Sequence, residues 1–239
     1  PGPAEEIRIR VYSSKESSES TPAVMHFHGG GWIAGNLNGS DDLCLEIARK
    51  TGATVISVDY RLAPENSFPA GFEDCYTATR YVQENPESFG VDPERMVVTG
   101  VSAGGNIAAA VALAARDRGE PDIEHQVLIY PALYRGFNSD SYIENSKGYF
   151  LETEDIRAMW DLYLTEDTET DMSYAAPGKA ETLTDLPPAT IVTAGFDPLR
   201  DDGFRYADRL ETDEVPVNHL HYDDMIHGFV ELAHQRDID

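Results

Sequence analysis

Lysine is nearly missing from this chain: 239 residues hold only Lys15, Lys50, Lys147 and Lys179. Lysine and arginine together number 18 against 43 acidic residues, a formal net charge of −25. A surface so short of cations repels nucleic acid and anionic membranes, which excludes both as partners. Long apolar runs are absent as well. No window of about 18 apolar residues is present to span a bilayer, and no secretion signal opens the chain. Cysteine is scarce. Cys44 and Cys75 have no metal-ligand spacing and read as free thiols of a cytoplasmic protein in preference to a disulfide. No His/Cys/Asp cluster has the spacing of a metal site, so neither metal nor cofactor is expected. An initiator Met is lacking too. A chain beginning Pro1-Gly2-Pro3 is expected to be a processed product or a fragment.

The acids are spread along the chain, which argues against a disordered acidic tail. Several, such as Glu152, Glu154, Asp155 and Asp161, fall on expected outward helix faces. Their mutual repulsion is relieved when salt screens it over less than about 10 Å. Adaptation to high salt is therefore expected.

What is present alternates between strand and helix patterns. Ile7, Ile9 and Val11 alternate with Arg8 and Arg10, as a half-buried strand does. Ser13 to Pro22 is a polar, Ser-rich loop, and Ala23 to Phe27 a second strand. Asp41 to Thr51 is expected as a helix capped by Asp41 and stopped by Gly52. Ala53 to Tyr60 is nearly continuous apolar sequence, the mark of a buried parallel strand. Ala70 to about Glu84 reads as a helix burying Phe72, Tyr76 and Tyr81 or neighbours. A strand leads from the Asp92-Pro93 approach up to Ser102, and a helix from Gly105 to Arg116, apolar on nearly all sides, is expected to lie buried against the sheet. Val127–Tyr130, Ala189–Ala194 and Val217–Tyr222 are further strands, with a helix over Asp201–Glu211. Between about 134 and 176 the alternation stops. One amphipathic helix stands there, capped by Thr153 and carrying Ile156, Met159, Trp160 and Tyr163. The pattern predicts one α/β domain with a mostly parallel sheet and an insertion lying over it.

Gly100-Val101-Ser102-Ala103-Gly104 joins the central strand to the apolar helix. A serine on so sharp a turn needs small neighbours two residues away on either side, and the helix N-terminus then points amides at it. Alone the pattern is weak, and Ser102 could be an ordinary helix cap. Its context strengthens it. Asp197 follows the strand ending at Ala194, His227 follows the last strand, and His28-Gly29-Gly30-Gly31 follows an early one. Strand ends are where an open α/β sheet places its site. His219 and His221 compete with His227, but they share one face of a strand and read as packing or surface residues. Asp201 and Asp202 compete with Asp197 and read as first-turn acids of a helix. His28 reads as structural. Tyr60 to Glu65 reads as scaffold, with Glu65 as a possible member of a buried ion pair.

These motifs, with Asp59-Tyr60-Arg61-Leu62-Ala63-Pro64-Glu65, Asp197-Pro198-Leu199-Arg200-Asp201 and His227-Gly228-Phe229, are similar to those of the hormone-sensitive-lipase-like esterases, a branch of the α/β-hydrolases. The resemblance runs from Pro22 to Phe229. It implies an α/β-hydrolase fold in which helices flank the sheet and the insertion is a helical cap. It implies a serine carboxylesterase acting on short-chain acyl esters, without cofactor, as a monomer or homodimer. Ser102 would be the nucleophile, His227 the general base and Asp197 its partner. The amides of Gly29, Gly30 and Ala103 would hold the oxyanion. Trp32, Phe150, Phe196 and Phe229 are expected to line the substrate pocket, with Trp160 either beside them or in the core. Alternatives on the same scaffold are a sugar-ester or arylacetamide-type deacetylase and a non-catalytic small-molecule binding protein. Departures from the family are Val101, where Asp or Thr is usual, and a short segment at each chain end. The first is expected to alter packing only. The second is expected to mean either a shortened chain or a more open site.

Overall fold

β-branched and small apolar residues fill the middle of the sequence, and in the computed structural model they build one seven-stranded sheet. The structure describes residues 6–13, 20–165 and 172–234. The opening Pro1–Pro3, the chain end at Asp239 and residues 14–19 of the Ser-rich loop lie outside the described residues.

In chain order the elements are β1 (Arg8–Tyr12), β2 (Thr21–Phe27), α1 (Asp41–Thr51), β3 (Thr54–Asp59), α2 (Ala70–Glu84), α3 (Pro86–Phe89) and β4 (Val91–Val101). Then come α4 (Ala103–Arg118), β5 (His125–Ile129), α5 (Asp140–Glu144), α6 (Thr153–Tyr163), α7 (Met172–Ala175), β6 (Ala189–Phe196), α8 (Arg200–Thr212), β7 (Val217–Ile226) and α9 (Phe229–His234). The strand order is β1-β3-β2-β4-β5-β6-β7. Only β1 runs antiparallel, against β3. The other pairs are parallel, as expected for strands linked by helical crossovers. β4 lies at the centre, and α4 packs behind it with every residue from Ala103 to Ala115 buried. That helix is rich in alanine and glycine, so it packs close to the strand behind the elbow.

Several local expectations are corrected. Val11 is 45% exposed while Tyr12 is buried, because β1 is an edge strand whose inner face turns at its end. Ser40, not Asp41, takes the cap position of α1. Asp41 instead accepts from Arg10 and Tyr12, tying the edge strand to the helix. Tyr81 is exposed and packs edge-on against Phe89, and Val82 takes the buried place. Glu152, not Thr153, caps α6, in a reciprocal box with Asp155. The Thr153 hydroxyl donates to the Tyr142 carbonyl. Glu65 is exposed, and the buried ion pair of that loop joins Arg61 to Asp74 at 2.8 Å. β7 runs on past Tyr222 to Ile226, because its pairing with β6 resumes after a register shift at Phe196↔Ile226. His219 and His221 do share one face, both against the Thr193 hydroxyl. Cys44 and Cys75 are free and buried. Among the described residues no helix is long and apolar enough to cross a membrane.

Between β5 and β6 the chain leaves the sheet and returns carrying α5, α6 and α7. Asp202, buried in the first turn of α8, anchors the departure: Oδ2 accepts from the amides of Leu133 and Tyr134 at 2.9 and 3.0 Å. Among the described residues Oδ1 has no hydrogen-bond partner. Burial pushes the carboxyl up from 3.8 to about 8 against the opposing effect of those amides. The folded chain thus keeps a proton that the unfolded chain loses from about pH 4 upward. Stability is fullest below the unfolded value and falls until the folded group itself ionises, by at most about 1.4 kcal/mol per pH unit. Asp202→Asn keeps an acceptor for both amides and cannot ionise. Urea unfolding at pH 5 and pH 8 is expected to show a smaller loss of stability in the variant than in the wild type. An equal loss would remove Asp202 from the account.

Candidate active site

The site begins with an improbable backbone. Ser102 has φ 55° and ψ −119°, a conformation that costs a side-chain-bearing residue on the order of 1–3 kcal/mol. The strain is held by tight packing. A Cβ on Gly100 would lie 2.2 Å from the Gly104 carbonyl oxygen, and one on Gly104 would lie 2.0 Å from that of Phe27. Strand β2, the glycine loop and the elbow are therefore pressed backbone to backbone. The Ser102 amide donates to the Ile129 carbonyl at 2.9 Å, pinning the turn to β5.

The Ser102 hydroxyl lies 3.0 Å from His227 Nε2, and His227 Nδ1 lies 2.8 Å from Asp197 Oδ2. Asp197 is fully buried and its Oδ1 accepts from the Leu199 amide at 2.8 Å. An ionised carboxylate can only accept, which puts the ring proton on Nδ1 and leaves Nε2 to accept from the serine. Asn145 on the loop after α5 donates to the carbonyls of Gly195 and Asp197, fixing the acid's backbone. Tyr130 packs on the His227 ring with centroids 4.7 Å apart.

The glycine loop is braced from beneath. His28 stacks on Tyr60 at 4.2 Å, and its Nδ1 lies 2.8 Å from the Gly29 carbonyl. Burial lowers the pKa of His28, keeping it neutral, although the Gly29 bond opposes this. The Tyr60 hydroxyl donates to the His28 carbonyl. Gly30 and Ala103 line the cavity beside Ser102. Gly29 sits behind them against Val101 and Ser102. Val101 is fully buried among Leu43, Ile129 and Tyr130.

Above Ser102 lies a cavity of about 400 Å³. Trp32 and Phe150 line it. Trp32 stacks on Tyr163 at 4.5 Å and donates its indole N–H to Asn106, which in turn donates to the carbonyls of Ala132 and Ala175. One asparagine thus links the glycine loop, the end of β5 and α7. Phe196 and Phe229 do not line the cavity, which corrects the expectation. Phe196 is 39% exposed and stacks on Tyr149 outside it, because side chains alternate along β6 and Asp197 takes the inward direction. Phe229 turns away to pack on Tyr130 and Tyr222. Trp160 is core, fully buried against Trp32. The walls missed from sequence include Leu151, Ile156, Met159 and Glu231. Ile156 and Met159, three residues apart on α6, gave a usable signal: one helix face reaching one place. Among the described residues no group of three or more His, Cys, Asp or Glu side chains could hold a metal ion.

The sheet order, with a strand–serine–helix turn at its centre, defines an α/β-hydrolase fold. A family profile described as "alpha/beta hydrolase fold" matches residues 24–231, and the chain belongs to that family. It is 43% identical over 236 residues to Esterase LipI of Mycobacterium tuberculosis, which covers 97% of this chain and 73% of that one. It is 38% identical over 229 residues to an arylesterase of Saccharolobus solfataricus, covering 94% and 73%. The crystal structure of an esterase from Pyrobaculum calidifontis superposes with a TM-score of 0.94 at 42% identity, over 98% of this chain and 76% of that one. The chain is a carboxylic ester hydrolase, in agreement with the resemblance read from its motifs.

Proposed function

We propose that this hydrolase is a serine carboxylesterase for short-chain acyl esters, with Ser102, His227 and Asp197 as its catalytic residues. The observation that carries the reading is the unbroken hydrogen-bonded line from the Ser102 hydroxyl through His227 to buried Asp197. Ser102 Oγ attacks the ester carbonyl while its proton passes to His227 Nε2. The resulting tetrahedral oxyanion is held by the amides of Gly29, Gly30 and Ala103, each worth about 3 kcal/mol in such a site. Collapse breaks the bond to the alcohol oxygen, which takes the proton back from Nε2 and leaves an acyl-serine. Water then repeats the sequence in reverse roles and releases the acid. Asp197 holds the ring in the required tautomer and stabilises it when charged. The insertion over about 134–176, of which residues 166–171 lie outside the described residues, acts as the cap. Leu151, Ile156 and Met159 line the cavity and give it an apolar wall.

A cavity of about 400 Å³ suits a small acyl group. Relatives named carboxylesterase and arylesterase support the same class. A panel of p-nitrophenyl acetate, butyrate, hexanoate and dodecanoate, with acetylated sugars and acetanilide, tests the reading. Rates are expected to be highest from acetate to hexanoate. Faster cleavage of the sugar acetates or the anilide would point to a deacetylase instead, and no turnover at all to a binding protein.

The reading extends to a protein adapted to salt. With 43 acids and 18 lysines and arginines, most carboxylates cannot find a cation of the chain. Their repulsion is present in dilute buffer and screened in concentrated salt. Raising KCl from 0.05 M to 2 M is expected to raise Tm by more than about 4 °C, the equivalent of one to two kcal/mol for a chain of this size. A flat or falling Tm would contradict this.

A further inference from the structure

We propose that Glu231 makes this site selective for esters whose alcohol portion carries a positive charge, an inference that rests on the esterase reading above. Among the described residues, the cavity over Ser102 has two carboxyls in its lining, Glu231 in the wall and Asp155 at the exposed edge, and neither lysine nor arginine. Its aromatic walls are Trp32 and Phe150. An aromatic ring and a carboxylate in one lining together suit an alkylammonium group, which is attracted by both.

Glu231 shares the cavity lining with His227 and interacts electrostatically with it, which puts it near the ring that hands the proton to the alcohol. It lies in α9, four residues beyond His227, with Gly228 between them also lining the cavity. The ring that returns the proton to the alcohol oxygen is therefore its neighbour. The side chain is half-buried, and among the described residues no lysine or arginine pairs with it. The Tyr130 hydroxyl, a neutral group, is its nearest polar neighbour from the protein. Burial raises the pKa of Glu231, opposed by His227 and Tyr130, so the carboxyl is incompletely compensated by the protein itself. A cation on the substrate supplies the missing partner. Asp155 cannot play the same part, since it is exposed and occupied by the capping box of α6.

Acetylcholine and 3,3-dimethylbutyl acetate have the same shape and differ in charge, so their kcat/KM ratio isolates it. Both would be measured by titration of released acid at pH 8 and one fixed KCl concentration. The wild type is expected to favour acetylcholine by roughly tenfold, the effect of one partly screened unit charge nearby. Glu231→Gln is expected to bring the ratio close to one. Glu87→Gln, an exposed acid on α3 outside the cavity, removes the same net charge and is expected to leave the ratio as in the wild type. Reading the ratio cancels any loss common to both esters. If Glu231→Gln does not fold, tetramethylammonium is still expected to inhibit wild-type hydrolysis of p-nitrophenyl acetate at concentrations where tert-butanol does not. A wild-type ratio near or below one, a ratio kept in Glu231→Gln, or equal inhibition by both compounds would overturn the proposal. Hydrolysis of the neutral ester without preference for the cation would sink this inference alone. Failure to hydrolyse either ester, or p-nitrophenyl acetate, would sink the esterase reading with it.

Discussion

Ser102→Ala is expected to lower kcat/KM for p-nitrophenyl butyrate by roughly 10⁴- to 10⁶-fold, the loss seen when a triad nucleophile is removed. The residual rate would come from the oxyanion amides and the cavity, which the substitution leaves in place. Stability is expected to change by less than about 1 kcal/mol. The Ser102 side chain makes one hydrogen bond, to His227, and alanine inherits the same backbone strain. Loss of activity with an unchanged Tm would separate chemistry from folding. Activity within tenfold of wild type in Ser102→Ala would mean that another group attacks the ester.

Gly104→Ala is expected to have the largest effect on the fold for the smallest change in mass. The added methyl would sit 2.0 Å from the Phe27 carbonyl oxygen and 2.5 Å from that of His28. Both are backbone atoms at the joint between β2 and the glycine loop, so no side chain can swing aside. The joint must open by more than an ångström, which costs more than about 3 kcal/mol in a packed interior. Tm is expected to fall by on the order of 10 °C. The glycine loop proposed to supply the oxyanion amides moves with it, so any folded fraction is expected to lose about 100-fold in kcat/KM. Gly39→Ala is the matched control, since a Cβ there meets nothing within 4 Å. Near-native stability and activity in Gly104→Ala would refute the close packing described here.

The architecture was legible where physics leaves one choice. Residues 53–60 are apolar enough only for a strand covered on both faces, and the alanine-rich stretch after Ser102 only for a buried helix. Candidate residues were legible where they stood at strand ends, because topology alone brings Ser102, Asp197 and His227 to one edge of the sheet. Side-chain direction was not legible. Phe196 is next to Asp197 in the chain yet points out, since neighbours on a strand face opposite ways. Phe229 is two residues from His227 yet packs below it on Tyr130. Cap residues were harder still. Asp41 and Thr153 are good helix-capping types, but Asp41 binds Arg10 and Tyr12 across the fold and Thr153 binds Tyr142. Tertiary partners outweighed a local bond worth about 1 kcal/mol. Glu231 gave no signal at all. One more acid in a chain of 43 acquires meaning only from the wall it occupies.

The central claim is that Ser102 forms the covalent intermediate with the help of His227. Diethyl p-nitrophenyl phosphate, which traps an activated serine by losing p-nitrophenolate, tests it most directly when the adduct is located by peptide mass spectrometry. One diethylphosphoryl group is expected on the peptide containing Ser102, formed as esterase activity disappears. Labelling is expected to be absent in Ser102→Ala and slowed at least about 100-fold in His227→Ala. Full inactivation with the label on another residue, or undiminished labelling in His227→Ala, would contradict the account.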